Sequence, residues 1–315
     1  MAFDSQKDLA VCGLACVLCD VADCPGCKSH GCACESDCAV FKCASKKQVD
    51  GCYQCADFPC GEDRLNNPRI RAFNQYARDF GKQALLDRLQ AHDESGIAYH
   101  RPGGLRGDYD TFETETEILH FLRYGRDDPY AKCPAFETPH FQLRQVCEAD
   151  AADLLESFYG DVSGWMFYGN DMCKSIFAGQ YATLDEMKHC IRVWRQEYAN
   201  RYYIRFSVIA KQTQRAVGTI EIFDHINSEK NWQLEAIRNG LVLHIDLGAP
   251  YETQAHIAEL LVLADAEVYK RFGMKHILIR AVPQATERIA ALLARGYASF
   301  DWERGREHYY AKATM

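Results

Sequence analysis

Apolar and polar positions divide the chain into three stretches. Residues 1 to about 62 show almost no alternating or helical apolar pattern. From Asn67, an N-cap and first-turn pair (Asn67-Pro68) predicts a helix, with Ile70, Phe73, Tyr76, Ala77 and Phe80 at three- and four-residue spacing. Gly81 interrupts that stripe, and Leu85, Leu86 and Leu89 resume it. HRPGGLRG (100–107) reads as a loop, Glu115 to Tyr124 as a short helix ended by Gly125, and the proline-rich stretch to about His140 as a linker. From Phe141 the pattern alternates between periods of two and 3.6. FQLRQV is a strand, Glu148 to Tyr159 a helix, and Leu184 to Tyr198 a second helix with Met187, Ile191, Trp194 and Tyr198 on one face. YYIRFSVIA, AVGTIEIF and LVLHIDL follow as strands, Thr253 to Phe272 as a long helix, HILIRAV as a strand, Glu287 to Ala294 as a helix, and HYYAKA as a closing strand. The order is β-α-α-β-β-β-α-β-α-β, with no internal repeat.

Length and composition constrain this picture. At about 150 residues per domain, 315 residues suggest two domains. Apolar residues at 48% and charged residues at 25% are ordinary globular values and exclude a disordered chain. No apolar run approaches the ~18 residues of a membrane span, and MAFDSQKDLA lacks the basic flank and apolar stretch of a signal peptide. The expectation is a cytoplasmic protein without a membrane partner. A net charge of −8 argues against nucleic acid as a partner. Cysteine is the outlier. Of 16, twelve lie between Cys12 and Cys60, and only Cys133, Cys147, Cys173 and Cys190 lie beyond.

The twelve are Cys12, Cys16, Cys19, Cys24, Cys27, Cys32, Cys34, Cys38, Cys43, Cys52, Cys55 and Cys60. A segment so poor in apolar residues cannot build a core unaided and needs disulfides or metal, and a reducing compartment favours metal. A Cys-x-x-Cys turn converges two sulfurs on one ion, and zinc takes four ligands in a tetrahedron. All twelve are therefore candidate zinc ligands, enough for three closed four-thiolate sites that would supply folding energy. Spacing does not say which cysteines share an ion. His30 could replace one sulfur, although an exposed loop position is the simpler role. The Cys12-x3-Cys16-x2-Cys19 spacing also suits an iron–sulfur cluster, which keeps a metal-redox protein as an alternative. The segment carries nine acidic and five basic side chains, which disfavours a phosphate backbone as partner. Cys12-Gly13-Leu14-x-Cys16-x-x-Cys19, with Cys52-Tyr53-x-x-Cys55-x-x-Phe58-Pro59-Cys60, resembles a cysteine-rich prokaryotic domain of uncharacterised function. The resemblance implies a metal-binding module over about residues 10 to 62 and no activity.

From Phe141 onward the element order, with Gly218-Thr219 in the third strand and Arg295-Gly296-Tyr297 near the close, resembles a GNAT-type N-acetyltransferase. The implied fold class is α/β (α+β), a mixed, mostly antiparallel sheet flanked by helices. The implied organisation is a cysteine-rich zinc module (1–62), a helical bridge and linker (63–140) and a GNAT-like domain (141–315). The resemblance places acetyl-CoA where the fourth strand splays from the fifth, its pyrophosphate on backbone amides opening the next helix. The corresponding positions are Leu247, Gln254, Ala255, His256 and Ile257. Ala255 and Ile257 stand where the family has small loop residues, chiefly glycine. Glu252 is expected to set a carboxylate beside the phosphates, where it would compete for the same amides. Leu292 occupies the position of the family's general-acid tyrosine.

A general base is useful because an acceptor ammonium must lose a proton before it attacks a thioester. Glu221 and Asp246 are the candidate catalytic residues, with His244 beside them. Strand alternation turns Glu221 away from Ile220 and Ile222, and an outward carboxylate on a half-buried strand is the plainer reading. Of adjacent Tyr309 and Tyr310, one points inward. GDYDTFETETE (107–117) holds five carboxylates. Asp108 and Asp110 could bind a cation or amine, but the plainer reading is a solvated lead-in to a helix.

The reading is an acetyl-CoA-dependent N-acetyltransferase acting on a small-molecule or peptide amine, with the zinc module shaping the acceptor site; a protein partner stays open. The alternative is a non-catalytic GNAT-like binding or sensor protein with a degenerate acetyl-CoA site, which explains Glu252, Ala255, Ile257 and Leu292 together.

Overall fold

The computed structural model describes residues 3–19, 21, 24–29, 32, 37–159, 183–224, 240–272, 276–300 and 308–313. His30, Cys34 and Cys173 lie outside the described residues. The chain forms two compact units, Met1–Asp128 and Pro129–Met315.

In the first unit, α1 (Ala39–Lys47), α2 (Pro68–Phe80), α3 (Lys82–Glu94) and α4 (Glu115–Tyr124) are joined by loops and short 3-10 turns. Asn67 caps α2 by accepting from the amides of Arg69 and Ile70, as the sequence predicts, and Gly81 separates α2 from α3 with φ of 91°. Helix α1 lies inside the stretch that carries no apolar periodicity. Its inward stripe consists of Val40 and Ala44 alone, and a cysteine, Cys38, caps it.

The expected separation of a cysteine module from a helical bridge does not describe this packing. Leu9, Ala15, Val17, Leu18 and Tyr53 share one apolar cluster with Phe73, Leu85, Leu89, Tyr109 and Leu122. Ile70 of α2 in turn joins Cys12, Cys27, Val40, Cys52 and Phe58 in a second cluster. A cysteine-rich segment with too little apolar surface of its own thus completes its core with α2–α4. The Asn74 amide nitrogen donates to the Cys12 carbonyl at 2.7 Å, and the Ala15 amide donates to the Tyr99 hydroxyl at 3.1 Å. Asp108 and Asp110 serve this unit as well. Asp110 accepts from Arg69 and the Gly107 amide at 2.7 Å each, and Asp108 accepts from the Ala98 amide, Arg101 and Arg126. Both carboxylates hold a loop in place, so the reading as a solvated lead-in gives way to an anchoring one.

The second unit is a sheet of eight strands with helices: β1 (Phe136–Glu137), β2 (Phe141–Gln145), β3 (Tyr203–Ala210), β4 (Arg215–Asp224), β5 (Gly240–Leu247), β6 (His276–Arg280), β7 (Ala298–Phe300) and β8 (Tyr309–Ala313). Their spatial order is β1-β2-β3-β4-β5-β6-β8-β7. Every pair is antiparallel except β5 with β6. The mixed, mostly antiparallel sheet is as expected; β1 and β7, two and three residues long, are too short to show in the sequence pattern.

The helix expected over Glu148 to Tyr159 is a 3-10 turn, one turn of α-helix (α5, Ala151–Leu154) and a wider turn to Tyr159. Helix α6 (Leu184–Ala199) opens with a reciprocal cap between Thr183 and Glu186 and buries Met187, Cys190, Ile191 and Trp194. Helix α7 (Gln254–Leu263) continues through a wide turn into α8 (Tyr269–Phe272), and α9 is Thr286–Ala294. Tyr309 is buried and Tyr310 half-buried, as alternation requires. Among the described residues no helix is long and apolar enough to cross a membrane.

Candidate functional site

Register across β3, β4 and β5 aligns polar side chains in rows on one face. Arg205 stands opposite Glu221, and Glu221 opposite His244; Ser207 stands opposite Thr219, and Thr219 opposite Asp246. The other face of the same strands carries Ile204, Phe206, Ile220, Ile222, Leu243 and Ile245. Helix α6 lies over the polar rows, with the Arg205 guanidinium 4.0 Å from the Trp194 ring centroid.

The polar rows are buried, contrary to the expectation of outward carboxylates on a half-buried strand. Arg205 is 3% exposed, Glu221 2% and Asp246 4%. A buried charge needs a partner, and Glu221 forms an ion pair with Arg205, which also donates to the Thr219 hydroxyl at 3.3 Å. In the neighbouring row the Ser207 hydroxyl donates to Asp150 at 2.7 Å, and Arg144 donates to both oxygens of Asp150. These bonds and the arginine charge outweigh burial and hold the Asp150 carboxyl below the usual carboxylate range. Burial, followed by the positive charges of Arg205, Arg280 and Arg288, pushes the His244 imidazole down to about 3, so it is neutral at pH 7. A ring with so little affinity for protons is a poor general base.

Strands β5 and β6 pair only at Gly240–His276, Leu241–Ile277 and Val242–Leu278. Beyond Val242 the parallel ladder ends, so the last five residues of β5, including His244, Asp246 and Leu247, lie past the pairing with β6, at the position where the resemblance expects a splay. Gly218 is needed beside it, because a Cβ there would lie 2.0 Å from the Asp246 carbonyl oxygen on β5.

Helix α7 starts seven residues after β5, and its free amides are where the resemblance puts a pyrophosphate. Thr253 caps the helix by accepting from the His256 amide at 3.3 Å, while the Gln254 amide donates to Glu287 of the α9 first turn at 2.8 Å. Glu252 does not lie beside the expected phosphates. It turns to Arg288 of α9 and accepts two hydrogen bonds at 2.6 and 2.8 Å, with both side chains buried. The carboxylate at the α7 N-terminus is Glu287 and not Glu252; it lies 33 residues from its amide partner, and no local spacing reveals the pair.

Of the remaining positions, Leu247 and Ile257 are buried and Ala255 is exposed. The His256 ring packs against Phe141 and Tyr251, at centroid distances of 5.1 and 5.7 Å. Leu292 is buried in α9 and has no proton to donate.

In the first unit the described cysteines carry thiols, with no disulfide among them. Burial, together with the neighbouring thiols of Cys27, Cys19, Cys12 and Cys24, pushes the Cys16 thiol up to about 12. Cys52 is likewise pushed up to about 12 by burial and by Cys12, Cys60, Cys55 and Cys43. Three groups donate to sulfur at 3.4 Å each: the Val11 amide to Cys27, the Phe41 amide to Cys38, and the Lys47 ammonium to Cys55. Among the described residues no three His, Cys, Asp or Glu side chains converge as a ready-made metal-binding group. The donor set nevertheless has the composition a thiophilic ion takes, neutral thiols that a bound cation would convert to thiolates.

Comparison with known proteins matches residues 20–64 to a family described as a protein of unknown function (DUF3795). No curated protein matches. Among solved structures, the chain is similar to a GNAT-family acetyltransferase from Bacillus anthracis, at 14% identity and a TM-score of 0.39, covering 57% of this chain and 99% of that one. It is similar to spermidine N-acetyltransferase from Vibrio cholerae in complex with CoA and spermine, at 11% identity and a TM-score of 0.41, covering 56% and 96%. It is also similar to Mycobacterium smegmatis RimJ in complex with CoA-disulfide, at 14% identity and a TM-score of 0.44, covering 57% and 86%.

Proposed function

We propose that the second unit is an acyl-CoA-dependent N-acyltransferase of the GNAT type, acting on a small-molecule or peptide amine. The observation that carries this reading is the end of the parallel β5–β6 ladder directly beside buried rows of polar side chains. The resemblance places a pantetheine arm where these two strands stop pairing, and the buried carboxylates attract an ammonium group.

Of the three candidate bases, His244 binds protons too weakly, and Asp246 is the carboxylate that lies past the end of the β5–β6 ladder. Asp246 takes the proton from the acceptor nitrogen. The neutral amine then attacks the thioester carbonyl, the C–N bond forms, the C–S bond breaks, and CoA leaves as its thiolate, which takes the second proton from the amide nitrogen to give the free thiol and the neutral amide. Glu221 and Arg205 act as positioning residues for that strand. The cysteine-rich segment holds structural zinc, which contributes to folding and not to chemistry.

One observation favours a second reading, a non-catalytic binding protein. Glu287 already occupies an amide at the α7 N-terminus, and a carboxylate there competes with an anionic ligand. Calorimetric titration of acetyl-CoA into the parent chain and Glu287→Ala separates the two. The transferase reading expects binding by both, with Glu287→Ala tighter by about two- to fivefold, from the ~0.3–1 kcal/mol of a helix-terminus charge. Release of CoA thiol on adding amines would then identify the acceptor. No heat from either protein up to millimolar ligand overturns the transferase reading and leaves the binding protein.

A further inference from the structure

We propose that Cys43, Cys52, Cys55 and Cys60 form one four-thiolate site for a single zinc ion. The assignment rests on the reading of the cysteine-rich segment as a zinc module and names the ligands of one site within it.

Three local structures carry these thiols to the wall of one cavity. Helix α1 supplies Cys43, and a 3-10 turn over Cys52–Gln54, closed by the Cys55 amide donating to the Cys52 carbonyl at 3.0 Å, supplies Cys52 and Cys55. A further turn, in which the Phe58 amide donates to the Cys55 carbonyl, leads to Cys60. All four line one small cavity whose other walls include Val40, Val49, Phe58 and Leu65. Cys12 also lies near Cys52, yet it does not line this cavity. The cavity therefore selects a set that spacing along the chain leaves open.

Size and charge point to one ion. The space at the centre of this partly open cavity, about 20 Å³, is of the order of a single water molecule, which suits one ion and not an iron–sulfur cubane. Four thiols binding Zn²⁺ release four protons and leave a net charge of −2. Lys47, one turn after Cys43 on α1, offsets part of that charge by donating to the Cys55 sulfur at 3.4 Å, while also bonding Asp57 at 2.6 Å. Lys47 and Glu62 also line the cavity, whose other walls are apolar, a setting that favours soft sulfur ligands over hydrated ones.

The test uses the full-length chain, zinc-loaded and reduced. Native mass spectrometry counts bound zinc as a chelator is titrated, and N-ethylmaleimide labelling at each step is mapped by peptide. The expected result is that Cys43, Cys52, Cys55 and Cys60 become labelled together over one chelator range, as one zinc equivalent is lost. Labelling of these four at different chelator concentrations, or of Cys12 in step with three of them, overturns the assignment while leaving the zinc module intact. Absence of any bound zinc overturns the module itself. Sulfurs that label only after added reductant are disulfides and overturn both. Labelling follows the unmutated protein, so misfolding of a cysteine variant cannot obscure the answer.

Discussion

Replacing Glu252 with glutamine keeps the shape of the side chain and removes a buried carboxylate that bonds Arg288 of α9. Arg288 is 1% exposed, and its two hydrogen bonds to Glu252 measure 2.6 and 2.8 Å. Removing one partner of a buried ion pair costs about 3–5 kcal/mol. All four tryptophans, Trp165, Trp194, Trp232 and Trp302, lie beyond Asp128, so tryptophan fluorescence reports unfolding of the second unit alone. With a urea dependence of about 2 kcal/mol per molar, the midpoint should fall by roughly 1.5–2.5 M. The shift should persist in 0.5 M salt, about which buried pairs are little concerned because screening acts on exposed charges. Glu252→Met combined with Arg288→Met should recover most of the loss, since apolar residues of similar volume often replace a buried pair at little cost. A Glu252→Gln midpoint within about 0.3 M of the parent would refute the reasoning, because Arg288 would then be neither dry nor dependent on this carboxylate.

Three further outcomes are expected. Gly13 has φ of 97°, and a Cβ there would lie 2.2 Å from the Asn74 amide nitrogen that bonds the Cys12 carbonyl; Gly13→Ala should destabilise the first unit by more than about 1 kcal/mol, read as lost amide-exchange protection in α2. Burial, then Arg88 and Arg126, lower His92 to about 3, so the unfolded chain binds the extra proton between pH 6.5 and 3, and stability falls as pH drops through that window. The loss is about 1.4 kcal/mol per pH unit, and His92→Gln should flatten the fall between pH 6.5 and 5 when urea midpoints are compared by circular dichroism. On the proposed zinc reading, treatment with chelator should expose protease sites as far as Asp128 and not only to residue 62, because Leu9, Val17 and Tyr53 share a core with α2–α4; cleavage confined to the first 62 residues would contradict that packing.

Elements whose signals are local were legible in the chain. Asn67 before Pro68 and Gly125 after an apolar stripe each bond or turn within a few residues, and each bounds a helix where expected. The strands from Phe141 onward follow alternation in the same way, and Tyr309 inward of Tyr310 is a direct consequence of the pleat. Helix α1 was not legible, because two apolar residues and a cysteine cap do not make a recognisable stripe. Alternation told which way Glu221 turns from its neighbours but not what covers that face; Trp194 and Arg205 convert an expected solvent-facing carboxylate into a buried ion pair.

By itself the sequence determined where most helices and strands run and that sulfur dominates the first 60 residues. Hydrogen bonds within a few residues and the periods of 2 and 3.6 set those features, and both are written along the chain. Tertiary structure decided the partners. It joined Glu252 to Arg288 across 36 residues, Glu287 to the Gln254 amide across 33, and Cys43 to the cavity it shares with Cys60. A charge or a thiol is placed by whatever folds against it, and burial makes that neighbour decisive, because in a dry interior an unmatched polar group costs more than any local preference can return.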